Sequence, residues 1–256
     1  MSQPCIRIAY LYPTLMNIYG DRGNIICLRR RCQERGIEVD VTELGIGDPF
    51  DAACYDLIVI GGGQDREQRR VAPDLVAKAD AIREAVDSDA PLLAVCGGYQ
   101  LMGREYRTAD GDTLSGAGIF DVTTVHPGPG ARRCIGNVVA RSEELHAPLV
   151  GFENHGGRTY LGPNARPLAR VKEGLGNNGE DGTEGTVYRR AIGTYLHGSV
   201  LPKNPALADR LIADALRHRY GDDAPALEPL DDRLELAAQT MAQRLRKRGR
   251  SRRPTA

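Results

Sequence analysis

The sequence predicts an α/β protein: a mostly parallel central sheet flanked by helices on both faces, with antiparallel strands added to it. Three observations carry this. Short apolar runs alternate with helix-length segments through the N-terminal half, as in βαβ units. Two of those runs end in small residues, Gly61-Gly62-Gly63 and Cys96-Gly97-Gly98, where a strand must turn sharply. Beyond residue 105, glycine, proline and threonine become frequent and short alternating stretches appear, as in antiparallel strands and loops.

In order, residues 6–12 (IRIAYLY) read as a buried strand and 22–35 as a helix capped by Asp21. Residues 37–44 form a second strand and 56–60 (DLIVI) a third. A helical stretch over 66–86 is interrupted near Pro73. Residues 92–95 are the strand that delivers Cys96. Stretches at 119–125 and 134–140 read as antiparallel strands, and 149–152 and 191–196 as further core strands. Residues 204–219 make an amphipathic helix with Leu207, Leu211, Ile212 and Leu216 on one side. Residues 1–220 thus form one domain. Residues 221–256 hold a proline-rich acidic linker, a possible helix over 234–245 and a basic run over 244–253, expected to be a solvated, disordered tail. The GxGxxG of Gly174-Leu175-Gly176-Asn177-Asn178-Gly179 lacks the strand and helix of a dinucleotide site, so a flexible surface loop is expected there.

Composition narrows the function classes. Lys+Arg and Asp+Glu both number 34, which argues against wholesale nucleic-acid or membrane binding. No apolar run is long enough to span a bilayer, so no membrane insertion is expected. The N-terminus carries no export signal, and the six cysteines show no CxxC spacing. Together these point to reduced thiols in the cytoplasm, without a disulfide framework or a metal site.

The chemistry centres on Cys96. A cysteine between a strand and a helix, followed by glycines, fits a nucleophile elbow that lifts its sulfur out of the backbone. A helix N-terminus favours the thiolate, and the amide after the nucleophile can face an oxyanion. The base is sought among His126, His146, His155, His197 and His218. His197 follows a core strand, as Cys96 does, and parallel strands share one carboxyl edge. His155 also follows a strand and is the competitor. The amides of Gly97 and of Gly62 or Gly63 are the oxyanion candidates. Arg132-Arg133 precede a strand-like stretch and could fork onto a carboxylate. Each feature has a structural alternative: a buried thiol, a tight turn, a solvated basic pair.

The run Cys96-Gly97-Gly98-Tyr99-Gln100 resembles the C-x-G-x-Q signature of class I (triad-type) glutamine amidotransferases. Tyr195-Leu196-His197-Gly198 is similar to the histidine motif of their cobyric acid synthase-like branch. Asn17-Ile18-Tyr19-Gly20-Asp21-Arg22-Gly23-Asn24, Gly61-Gly62-Gly63-Gln64-Asp65 and Gly151-Phe152-Glu153-Asn154-His155-Gly156-Gly157-Arg158 narrow the resemblance to the glutaminase subunits of lipid II isoglutaminyl synthases, over roughly residues 6–220. The resemblance implies a flavodoxin-like fold and hydrolysis of L-glutamine to glutamate and ammonia. It implies Cys96 as nucleophile, His197 as base, and Arg133 and Gln100 as substrate-binding residues, with Arg132 the neighbouring alternative. It implies no cofactor in this chain. A MurT-like Mur ligase partner, forming a heterodimer, would use ATP and magnesium to amidate D-glutamate of the lipid II stem peptide. The pattern departs at Ala94, where many members have glycine, and at Ser199, where they carry a glutamate. Glu153 is then the candidate orienting acid, a Cys–His dyad the alternative. A stand-alone γ-glutamyl hydrolase or cysteine peptidase, and a non-catalytic regulatory subunit, are the competing functions.

Overall fold

The structure, a computed structural model, describes residues 3–197 and 199–249. In chain order the elements are β1 (Cys5–Leu11), α1 (Arg22–Gln33), β2 (Glu38–Leu44), β3 (Leu57–Ile60), α2 (Asp65–Ala77), α3 (Ala79–Asp87), β4 (Leu92–Val95), α4 (Gly97–Met102), β5 (Glu105–Arg107), β6 (Thr113–Ser115), β7 (Val122–Val125), β8 (Cys134–Ser142), β9 (Ala147–His155), β10 (Arg158–Leu161), β11 (Ala169–Glu173), β12 (Thr183–Glu184), β13 (Thr186–Tyr188), β14 (Ala191–Thr194), α5 (Pro205–Tyr220) and α6 (Arg233–Gly249).

The central sheet has the order β13-β14-β4-β3-β1-β2. Its strands are parallel except for β13, which pairs antiparallel with β14 at one edge. Strands β3, β4 and β14 are buried along their whole length, which is why they read as continuous apolar runs without alternation. Helix α1 packs on α5, and α2 on α4. Leu207, Leu211, Ile212 and Leu216 of α5 are all buried, as the helical spacing predicts.

Two four-stranded sheets sit beside this core, β10-β7-β5-β6 and β12-β11-β8-β9. The 149–152 strand belongs here, in β9, rather than in the core sheet. It is nine residues long and pairs antiparallel with β8 along its length. One bridge, Phe152 with His197, ties it back to the segment after β14.

Three other expectations change. The 66–86 helix breaks at Lys78, while Pro73 lies inside α2. The break is where Lys78 folds back onto Asp74, one turn earlier. The glycine-rich segment 174–179 is anchored: Asn177 and Asn178 are buried, and the Asn177 amide bonds Thr183 and Gly185. The region after 220 docks back onto the domain. Arg31, itself buried, forks onto Asp209 and Asp232, so the start of α6 is tied to α1 and α5. The basic run begins inside α6, and its residues 250–253 lie outside the described residues.

Candidate active site

Parallel strands bring their carboxyl ends to one edge, and four of them deliver the site. Strand β4 leads into Cys96, β3 into Gly61-Gly62-Gly63, and β14 through Tyr195 and Leu196 to His197. The loop after β1 brings Asp21.

Cys96 has φ 49° and ψ −103°, a left-handed strain that a non-glycine residue adopts only when its surroundings impose it. Its amide donates to Thr194 O at 2.8 Å, pinning the elbow to β14. The two glycine turns approach as closely as backbone allows. A Cβ on Gly97 would lie 2.7 Å from Gly63 N, and one on Gly98 would lie 2.7 Å from Gly61 O. Any side chain there would push the turns apart. The approach sets the N–H groups of Gly63 and Gly97 next to the cysteine, and neither donates to an acceptor among the described residues. Gly62 is corrected as an oxyanion candidate, because its N–H donates to Asp21 Oδ2 at 2.6 Å.

His197 is wholly buried. Its Nδ1 lies 3.4 Å from Oδ1 of Asp21, which assigns the Nδ1 proton and leaves Nε2 for chemistry. Burial disfavours the charged ring, yet Cys96 and Asp21 together raise its pKa well above the usual histidine range. Nε2 makes no hydrogen bond of ordinary geometry among the described residues, and Cys96 raises the ring's pKa both by its charge and as a hydrogen-bond partner. Tyr19 closes over the imidazole edge-on, with ring centroids 5.2 Å apart.

Asp21 is therefore no helix cap. Its backbone is already helical and its side chain makes no capping bond. It supplies the carboxylate expected of Glu153, whose two oxygens accept from the N–H groups of Leu175 and Gly176 at 2.9 and 2.8 Å. Glu153 thus holds the glycine-rich segment. Ser199, at the position where a glutamate was expected, bonds Gly20 O at 2.7 Å and so tethers the loop bearing Asp21. Sequence reasoning also missed Glu184. This buried carboxyl accepts from Thr194 Oγ1 at 2.6 Å and Tyr195 N at 2.9 Å, fixing the segment that presents His197, and burial pushes it up to about 7.

A cavity of about 660 Å³ opens at this edge, lined by Cys96, Gly63, Tyr19, Gln100, Arg133 and His155 among others. Arg133 stands in its wall, while Arg132 lines only a neighbouring cavity that shares Arg133. Arg133 Nε donates to Asn154 Oδ1 at 3.1 Å, and Asn154 Nδ2 donates to the Tyr19 hydroxyl at 2.6 Å. The cavity mouth is thus spanned by a chain from Arg133 to the ring that covers His197. Gln100 lines the cavity, but its amide is engaged at both ends, accepting from Gln68 and donating to Tyr195. His155 stacks on Tyr195 at 3.6 Å, and its Nδ1 bonds Gly157 O at 2.7 Å. Burial pushes His155 down to about 3, so it is neutral at physiological pH.

A cysteine at an elbow, an imidazole held by a carboxylate and two open amides are the parts of acyl-transfer chemistry on an amide or ester. The CobB/CobQ-like glutamine amidotransferase domain matches residues 7–205. The chain belongs to that glutamine amidotransferase family. Two curated relatives carry the same name, lipid II isoglutaminyl synthase (glutamine-hydrolyzing) subunit GatD. The one from Streptococcus pneumoniae (strain ATCC BAA-255 / R6) is 40% identical over 227 residues, 88% of this chain and 86% of its own. The one from Staphylococcus aureus (strain N315) is 40% identical over 238 residues, 93% of this chain and 95% of its own. A crystal structure of a glutamine amidotransferase from Thermotoga maritima shares the fold, with TM-score 0.50 and 17% identity over 94% of this chain and 95% of that one. The α/β reading of the sequence is that of the amidotransferase fold.

Proposed function

We propose that the chain hydrolyses L-glutamine through a γ-glutamyl thioester on Cys96 and passes the ammonia to a MurT-like Mur ligase subunit. That partner, with ATP and magnesium, would amidate the D-glutamate α-carboxyl of the lipid II stem peptide. The observation that carries this reading is the convergence at one sheet edge of Cys96, His197, Asp21 and two amides that donate to no acceptor among the described residues, together with the relatives' names.

His197 Nε2 takes the Cys96 proton, and Sγ attacks the side-chain carbonyl carbon of glutamine. The N–H groups of Gly63 and Gly97 hold the oxyanion, each such donor contributing about 2.7–4 kcal/mol to lowering the barrier. His197 gives its proton to the departing nitrogen, releasing ammonia and leaving the thioester. Water, deprotonated by His197, then displaces the thiolate and yields glutamate. Asp21 keeps Nδ1 protonated throughout and stabilises the imidazolium. Arg133 anchors the α-carboxylate, for which a planar guanidinium in the cavity wall is suited. Ammonia released into water would be lost as ammonium, so direct transfer requires a docked partner.

The test is Cys96→Ser in the presence of the co-expressed ligase subunit. Loss of glutamine hydrolysis, with retained amidation from added ammonium, is the expected result. Wild-type hydrolysis by the variant removes the nucleophile. Hydrolysis of γ-glutamyl peptides by the isolated chain at rates matching glutamine would favour the stand-alone hydrolase instead.

A further inference from the structure

Helix α6 is amphipathic the wrong way round. A surface helix ordinarily turns its apolar stripe inward. Here the inward side is polar: Gln239 is buried, and its amide reaches Pro148 O at 3.2 Å, Lys203 O at 3.0 Å and Asn204 Oδ1 at 3.3 Å. Glu235 and Gln243, four residues either side, are half-buried along the same line. On the outward side Leu234 is 82% exposed and Met241 is 53% exposed, two turns apart, with Ala237 and Ala238 exposed between them. Leu245 follows four residues after Met241 in the sequence.

The last turns of this helix are the start of the basic run. Residues 244–253 contain seven Arg or Lys and no acid, whereas the remainder of this neutral chain carries seven more acidic than basic residues. The two features need different things at one place. The stripe needs an apolar phase, and the run needs a dense array of negative charge. A bilayer surface with anionic headgroups offers both together. A second copy aligned stripe to stripe would set two like-charged runs side by side. A nucleic acid would answer the charge and leave Leu234 and Met241 in water.

We propose that α6 and the basic run form a peripheral anchor, with the helix lying in the plane of an anionic lipid surface and its outward stripe among the headgroups. No helix among the described residues is long and apolar enough to cross a membrane, so the attachment is to the surface. The acidic body is repelled by the same surface, so the anchor also orients the domain away from it. This inference does not depend on the reaction proposed above.

The experiment is co-sedimentation of the full chain with vesicles of phosphatidylcholine alone or of equimolar phosphatidylcholine and phosphatidylglycerol. The chain is expected to sediment with the anionic vesicles only and to be released by salt. Leu234→Ser with Met241→Ser should weaken binding about tenfold, each side chain losing part of its apolar transfer free energy. Arg246→Gln with Lys247→Gln and Arg248→Gln should weaken it comparably, with the far-ultraviolet dichroism and melting of both variants checked against the parent. The proposal is overturned by no binding to anionic vesicles at low salt, or by equal binding to both vesicle types. Undiminished binding of the apolar double variant overturns it too, as does displacement from vesicles by stoichiometric duplex DNA.

Discussion

Two buried histidines end or follow strands near the site, only His155 among the cavity's lining residues, and they do opposite things. His197 follows β14 and faces Asp21 and Cys96, which raise it above the usual range. His155 ends β9, bonds a carbonyl and lies near Arg158 and Arg133, and burial is left to push it down to about 3. Both are fully covered, and a single bridge links their neighbourhoods. Burial alone therefore says nothing about the role of a histidine; the sign of the neighbouring charge decides. The surrounding walls differ in the same way. The sheet edge holds its reactive groups by backbone: an elbow, two glycine turns, a strand register. The antiparallel wall presents side chains instead, Arg133 and Asn154, joined to each other and to Tyr19 by hydrogen bonds.

Breaking the backbone-held wall should cost most. Gly97→Ala places a methyl against the Gly63 backbone, displacing nucleophile and oxyanion donors together. Glutaminase activity should fall roughly 10⁴-fold while the protein still folds, as steady-state assay and melting will show. Asp21→Asn should cost about 10³-fold in kcat. Asp21 favours the imidazolium, so without it the ring loses its proton at lower pH, and the alkaline limb of the rate profile moves down. Arg133→Ala tests the other wall. KM for glutamine should rise about ten- to a hundredfold, the equivalent of a charged hydrogen bond, with kcat much less affected. An unchanged KM would transfer the anchor elsewhere.

Glu184→Gln sharpens the comparison through stability. Its folded pKa is raised, so its stabilisation is present below about 4.3 and is lost as pH climbs through about 7. The variant should gain about 1–3 kcal/mol relative to wild type between pH 5 and pH 8, read from denaturant midpoints. The smallest effect is expected at the neutral histidine: His155→Gln should leave both limbs of the rate profile where they are. A displaced limb would make His155 a titrating participant.

Much of this was legible along the chain. Strands β3, β4 and β14 declared themselves as apolar runs because burial on both faces removes alternation, whereas the edge strand β2 alternates with exposed acids. Cys96 was found from a strand followed by glycines, and His197 from its place after another strand. Arg133 came through resemblance, and the cavity then separated it from Arg132. What failed was partnership. Asp21 read as a cap because acids precede helices for that reason, and nothing local reveals a carboxylate turned toward a histidine 176 residues later. Glu153 had the right chemistry and neighbourhood but satisfies two amides of the 174–179 segment. Gly62 had a suitable amide, already occupied. The 149–152 run had core composition and went to a different sheet.

The sequence by itself determined the order of strands and helices, the strained cysteine and the residue types available to it. Those follow from local sterics and apolar periodicity, which act over a few residues. Only the tertiary structure decided which acid serves the histidine, which amides stay open and which histidine is charged. Those depend on distances of 3–4 Å between segments far apart in the chain, and electrostatics at that range responds to whatever folding brings there.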